Sequence, residues 1–117
     1  MEDTIAAIST PVGEAGLAVV RLSGAQALTV ADRCFVPLGR GRIKVCDAAS
    51  HTVHYGKMVS SGKRLDEVML TVYHPPRTFT REPMVEISCH GGILPAKLVL
   101  DALLAAGARM AEPGEFT

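Results

Sequence analysis

The run from Met84 to Gly92 constrains the fold more than any other part of the chain: an apolar strand carrying one carboxylate ends in a double glycine, and an apolar helix follows. Strand side chains alternate between faces, so Val85, Ile87 and Cys89 share one side while Glu86, Ser88 and His90 line the other. Beyond Gly91-Gly92, the residues Ile93, Ala96, Leu100, Leu103 and Leu104 recur at helical spacing, Pro95 sits in the tolerated first turn, and Gly107 is placed to cap the end. Strand, glycines and helix make a β-α unit whose polar strand face is the first place to look for a ligand.

The remaining elements follow from the same periodicities. Ile5-Ala6-Ala7-Ile8 and Leu17-Ala18-Val19-Val20-Arg21-Leu22 read as two strands joined by a proline and glycine loop. The second is apolar on both faces and belongs in the middle of a sheet. Ser23-Gly24-Ala25-Gln26 matches a capping box for a helix over Gly24 to Cys34. Val36 to Ser50 reads as loop. Val53 to Val59 and Val68 to Tyr73 are expected to pair as an antiparallel hairpin around Ser60 to Glu67, and Ala108-Arg109-Met110-Ala111 adds a last short strand. The expected fold is a single α+β domain over residues 1–117, with a mixed, largely antiparallel sheet and two main helices, and no internal repeat.

Composition narrows the function. Apolar residues make up 48% and charged residues 21%, a globular balance. The mean hydropathy is positive, which implies apolar surface meant for another subunit. Twelve basic residues balance twelve acidic ones, so no overall field steers the chain to nucleic acid or to an anionic membrane. Cys34, Cys46 and Cys89 are odd in number and widely spaced, which argues against a disulfide framework and for the cytoplasm. No apolar run reaches the length of a signal or membrane segment.

Two charges call for partners. Glu86 lies within an apolar strand, where an ionised carboxylate must be paired or solvated. It is either a residue of a solvated face with Ser88 and His90, or a carboxylate that accepts two parallel hydrogen bonds from an amidine-like edge, as on an arginine or a pterin ring. Arg21 closes a central strand and is either a structural ion-pair partner or a ligand contact at the sheet end. Other chemistry is poorly supported. Gly39-Arg40-Gly41 lacks the third glycine of a dinucleotide site, and Ser61-Gly62-Lys63-Arg64 falls in a hairpin turn rather than before a helix, so no phosphate-cradling loop for GTP is expected in this chain. Cys89 and His90 point to opposite faces and cannot share a proton. Cys46, His51 and His54 lack a fourth zinc ligand, so no metal site is expected. Arg40, Arg42 and Lys44 form a small basic cluster able to touch a phosphate backbone, without interleaved aromatics.

Five segments, in order and spacing, resemble one family: residues 3–11 (DTIAAISTP), Val20-Arg21-Leu22-Ser23-Gly24, Thr78-Phe79-Thr80-Arg81-Glu82, residues 85–92 (VEISCHGG) and Pro113-Gly114-Glu115-Phe116-Thr117. The family is the amino-terminal domain of the MnmE (TrmE) tRNA-modification GTPases. The resemblance implies an amino-terminal piece of a longer protein, with a helical domain and a G domain absent here, and a fold like the folate-binding domain of aminomethyltransferase-like proteins. It also implies a homodimer that binds a tetrahydrofolate derivative, 5-formyl- or 5,10-methylene-tetrahydrofolate, as the one-carbon source. The full protein would use GTP, magnesium and potassium. With the flavoprotein MnmG it would add an aminomethyl-type group at carbon 5 of the wobble uridine of tRNA. Family folate contacts fall on Arg21 and Glu86, with Ser88, His90, Gly91, Gly92 and Thr80 as further candidates; a third family contact, a lysine or arginine, lies beyond Thr117. The chain departs from the family at Thr80-Arg81-Glu82-Pro83, where Thr-Gly-Glu-Asp is common. The rival expectation is an RNA-contacting or subunit-assembling module without a small ligand, in which Arg21 and Glu86 form only a structural pair.

Overall fold

A computed structural model describes residues 4–9, 18–39, 43–75, 82–90 and 93–116. The elements run β1 (Ile5–Ile8), β2 (Ala18–Ser23), α1 (Ala27–Cys34), β3 (Phe35–Pro37), a 3-10 turn (Val45–Asp47), β4 (Thr52–Ser60), β5 (Lys63–Tyr73), β6 (Met84–Cys89), α2 (Ile93–Ala105) and β7 (Arg109–Met110). They form one seven-stranded sheet in the order β3-β4-β5-β6-β2-β1-β7. Every pairing is antiparallel except β1 with β7. The α+β expectation is met, and β2 is interior as its two-sided apolar character requires.

Alternation sorts the sheet into a packed face and an open one. Val20, Leu22, Leu70, Val72, Val85 and Ile87 share one core cluster with Val30 and Ala31 of α1 and with Val99 and Leu103 of α2, so both helices cover the same side. On α2 the buried stripe is Ala96, Val99, Leu100 and Leu103; Leu104 is half-buried, and the side chain of Ile93 lies outside the described residues. Gly107 ends α2 at φ +126, a conformation that L side chains rarely adopt, as its capping role anticipated.

Three local expectations are corrected. The capping box does not form: Ser23 is the last residue of β2, fully buried and paired with both Ile5 and Met84. The helix therefore begins at Ala27, and no side chain of the helix start caps it. The Gln26 amide instead donates to Thr4 Oγ1 at 3.0 Å, and the Ala27 amide to the Gly24 carbonyl at 3.0 Å. The segment read as loop, Val36 to Ser50, takes in Val36 and Pro37 of β3, which pairs with β4, and a 3-10 turn whose Val45 is buried and whose Val45 amide donates to Asp32 Oδ1 at 3.1 Å. The loop from Ser60 to Glu67 shrinks to Ser61-Gly62. Both residues have positive φ, +51 and +79, the geometry of a tight primed turn, so the pairing continues down to Lys63.

Candidate functional site

The open face carries the polar positions that alternation assigned to it. Ala7, Arg21, Glu86, Thr71 and Val53 form one row across β1, β2, β6, β5 and β4. Val19, Ser88, Met69 and Tyr55 form the next. Among the described residues no helix covers this side. Val53, Tyr55 and Met69 are accordingly 55%, 44% and 37% exposed, an apolar patch on this open face.

Arg21 and Glu86 face each other directly across β2 and β6. The Arg21 guanidinium donates from both Nε (2.9 Å) and Nη2 (2.5 Å) to the same carboxylate oxygen, Oε2. The other oxygen, Oε1, accepts a hydrogen bond from the Tyr73 hydroxyl at 3.0 Å. This is not the forked pairing in which each nitrogen meets its own oxygen. Two donors converge on one oxygen, and a neutral phenol takes the second. The Arg21 and Glu86 side chains retain 27% and 22% of their surface, so the pair stays within reach of solvent and ligand.

Arg21 also borders a cleft of about 440 Å³, lined by Ala7, Ile8, Ser9, Arg21 and the segment 111–116. Phe116 lies under the guanidinium, 6.0 Å from its carbon to the ring centroid, a cation–π placement. That segment is tied down by Arg109, which donates to both Glu115 oxygens, and by the Glu112 amide, which donates to Glu115 Oε1 at 2.8 Å. The Arg109 guanidinium holds the Glu115 carboxyl below the usual carboxylate range. A floor of sheet, an arginine facing the cavity, an aromatic wall and a carboxylate behind the arginine suit a flat ligand with hydrogen-bonding edges.

The remaining candidates are not all gathered there. Ser88 sits two residues along β6 from Glu86, on the same face and half-buried. His90 follows the end of β6 and does not join the pair. Its amide donates to Asp66 Oδ2 at 3.0 Å and its ring Nδ1 pairs with the Glu67 carbonyl at 3.1 Å. It lies four residue steps from Glu86, about 13 Å at strand spacing. It lines a second crevice, of about 430 Å³, with Tyr55, Arg64, Asp66 and Glu67. His90 thus borders the same open face as Tyr55, at the β4–β5 hairpin end and away from the Arg21–Glu86 pair. Thr80, Gly91, Gly92, Arg40 and Arg42 lie outside the described residues.

Tyr73 and Phe116 were missed as site residues. The alternation of β5 places Tyr73 on the open face, but its contact with Glu86 is diagonal, since Tyr73 pairs with Met84. Only the register reveals it. The cysteines carry no reactive chemistry in the core: burial pushes the Cys89 thiol up to about 12 and raises that of Cys34. Among the described residues no group of three or more His, Cys, Asp or Glu is arranged to hold a metal. His54 Nε2 meets Thr52 Oγ1 and His51 Nδ1 meets Ser50 Oγ, at 2.7 and 2.8 Å.

Comparison with known proteins decides the lineage. The family described as GTP-binding protein TrmE N-terminus matches residues 4–117. The chain belongs to the TrmE amino-terminal family. The tRNA modification GTPase MnmE of Geobacillus kaustophilus is 56% identical over 117 residues, covering 98% of this chain and 25% of that protein. The protein of the same name from Chloroflexus aurantiacus is 53% identical over 118 residues, covering 100% of this chain and 25% of its own length. The chain thus spans about a quarter of these relatives, and the TrmE match includes both Arg21 and Glu86. Among the described residues, no helix is long and apolar enough to cross a membrane.

Proposed function

We propose that this chain is the folate-binding and dimerisation unit of a cytoplasmic tRNA-modifying GTPase. The observation that carries the reading is the Arg21–Glu86 pair on the uncovered face, beside a cleft walled by Phe116. A pterin presents adjacent N–H donors along one edge, which a carboxylate accepts. Glu86 would hold that edge, and Arg21 would keep Glu86 oriented or grip the carboxylate of the folate tail. A cleft of about 440 Å³ falls within the range of small-molecule sites. Bound tetrahydrofolate, as the 5-formyl or 5,10-methylene form, supplies the one-carbon unit.

The relatives' names, tRNA modification GTPase, support a role in tRNA modification. In the whole protein we assign GTP, magnesium and potassium to the G domain, MnmG as the flavoprotein partner, and carbon 5 of the wobble uridine as the acceptor of the aminomethyl-type group. The exposed patch of Val53, Tyr55 and Met69 supports pairing with a second copy through the open face. Isothermal titration of the chain with 5-formyltetrahydrofolate tests the reading. Saturable binding supports it. No saturable heat, together with retention of tRNA or of a stable dimer, shifts the assignment to the rival reading of an RNA-contacting or assembly module.

A further inference from the structure

Glu86 is held from two sides, and only one of its holders was anticipated. We infer that Tyr73 is a positioning residue for Glu86, its phenol fixing the plane of the carboxylate so that the acceptor site left on Oε1 meets a donor-edged ligand in one preset orientation. The terminal torsion of a glutamate is broad and two-fold, so a carboxylate anchored at one oxygen still swings the other. Arg21 anchors only Oε2, through both Nε and Nη2. Tyr73 anchors Oε1 from the opposite neighbour strand, β5. Each oxygen carries two acceptor sites, so Oε1 can take a second donor while Tyr73 remains in place. The phenol is neutral and leaves the charge of Glu86 uncancelled on that side.

Tyr73 is itself buttressed. The His51 ring packs edge-on to it, with centroids 5.1 Å apart and planes at 89°. His51 adopts φ +63, and the turn that sets this conformation is pinned by Ser50, whose Oγ meets His51 Nδ1 at 2.8 Å and accepts the His74 amide at 2.9 Å. A turn before β4 thereby holds the aromatic ring that holds the carboxylate, and no motif in the sequence marks this path.

The ligand in this inference rests on the folate reading, whereas the geometry does not, so two measurements separate them. Tyr73→Phe removes one oxygen and no volume. The chain carrying it should bind 5-formyltetrahydrofolate about tenfold more weakly, the loss expected of one hydrogen bond to a charged group. Its melting temperature should stay near that of the parent. Affinity within twofold of the parent overturns the inference.

The second measurement needs no ligand. Burial, then the hydrogen bond to Glu86 and its charge, raise the Tyr73 phenol above its ordinary 10, while Arg21 opposes the rise. In a Tyr55→Phe background Tyr73 is the remaining tyrosine, so its ionisation can be followed by absorbance. Adding Glu86→Gln should bring that titration down toward 10, with the part due to burial left over. An unmoved titration overturns the inference whatever the folate result. A titration that moves in a chain that binds no folate supports the Tyr73–Glu86 coupling and overturns the folate assignment alone.

Discussion

Replacing Glu86 by glutamine separates a ligand carboxylate from a structural one, because the two roles predict different ratios of lost affinity to lost stability. Three hydrogen bonds end on the carboxylate, two from Arg21 at Oε2 and one from Tyr73 at Oε1. Glutamine keeps the volume and one oxygen. With that oxygen turned to Arg21, its amide nitrogen meets a phenol that can rotate to accept. The fold then loses mainly the charge of a pair whose members are 27% and 22% exposed. Partly solvated pairs of this kind contribute about 0.2 to 1 kcal/mol. In a chain of this size that corresponds to a melting shift of no more than about 4 °C. A ligand presenting paired N–H donors fares worse, since it meets an N–H group where an acceptor stood. Losing a charge-assisted bond costs about 1.5 to 3 kcal/mol, or roughly 10- to 150-fold in affinity. Calorimetric titration with 5-formyltetrahydrofolate and a scanning melt give both numbers on one sample. Unchanged affinity would refute the role of Glu86 at the ligand edge. Unchanged affinity with a melting drop well beyond 4 °C would make the pair a purely structural one.

Three further outcomes follow from the packing. Gly56→Ala places a Cβ 2.4 Å from Phe35 Cζ and 2.5 Å from the Val36 carbonyl oxygen, and β3 cannot withdraw while its ladder with β4 is intact. We expect a loss of about 1 to 3 kcal/mol, read as a lower denaturation midpoint at unchanged slope; a neutral result would show that β3 detaches freely. A thiol reagent should label exposed Cys46 quickly and reach Cys34 and Cys89 only after denaturation, because both are buried and their thiols are raised. Rapid labelling of all three in the native state would contradict the packing. The Glu115 carboxyl is lowered by Arg109, so its contribution is complete above the ordinary value of 4.5 and fades as the pH falls through the lower folded value. The Glu112 amide resonance, which reports its bond to Glu115, should therefore hold steady at neutral pH and move below about pH 4.5; an amide indifferent to acid would mean that the segment beside Arg21 is held by something else.

Much of the fold was legible because it follows from local periodicity. The alternation in β6 sends Val85, Ile87 and Cys89 into the core, and the two-sided apolar run of β2 places it in the sheet interior. Failures came where a local motif lost to the ladder. Ser23 has the spacing of a cap, but its backbone serves better as the sixth rung between β2 and β6, and the helix start draws on distant Thr4 instead. Ser61-Gly62 lacks the asparagine or aspartate that usually announces a two-residue hairpin turn, so the loop looked longer than it is.

The site was legible in its charges and not in its connections. Glu86 and Arg21 stand out because each is a charge in an apolar strand, and such charges must find partners. That they are partners of each other depends on β2 and β6 being neighbours in one particular register, which period-two alternation leaves open. Tyr73 depends on the register of a third strand, and Phe116 on a chain segment folding back beneath Arg21. His90 follows the end of β6, where its amide donates to Asp66 and its ring meets the Glu67 carbonyl, so it borders a crevice with Tyr55 at the far end of the open face. Alternation therefore identifies which side chains share a face, and pairing decides which of them meet. The residues most easily missed are those reached diagonally, and Tyr73, whose hydroxyl completes the hold on Glu86, is one of them.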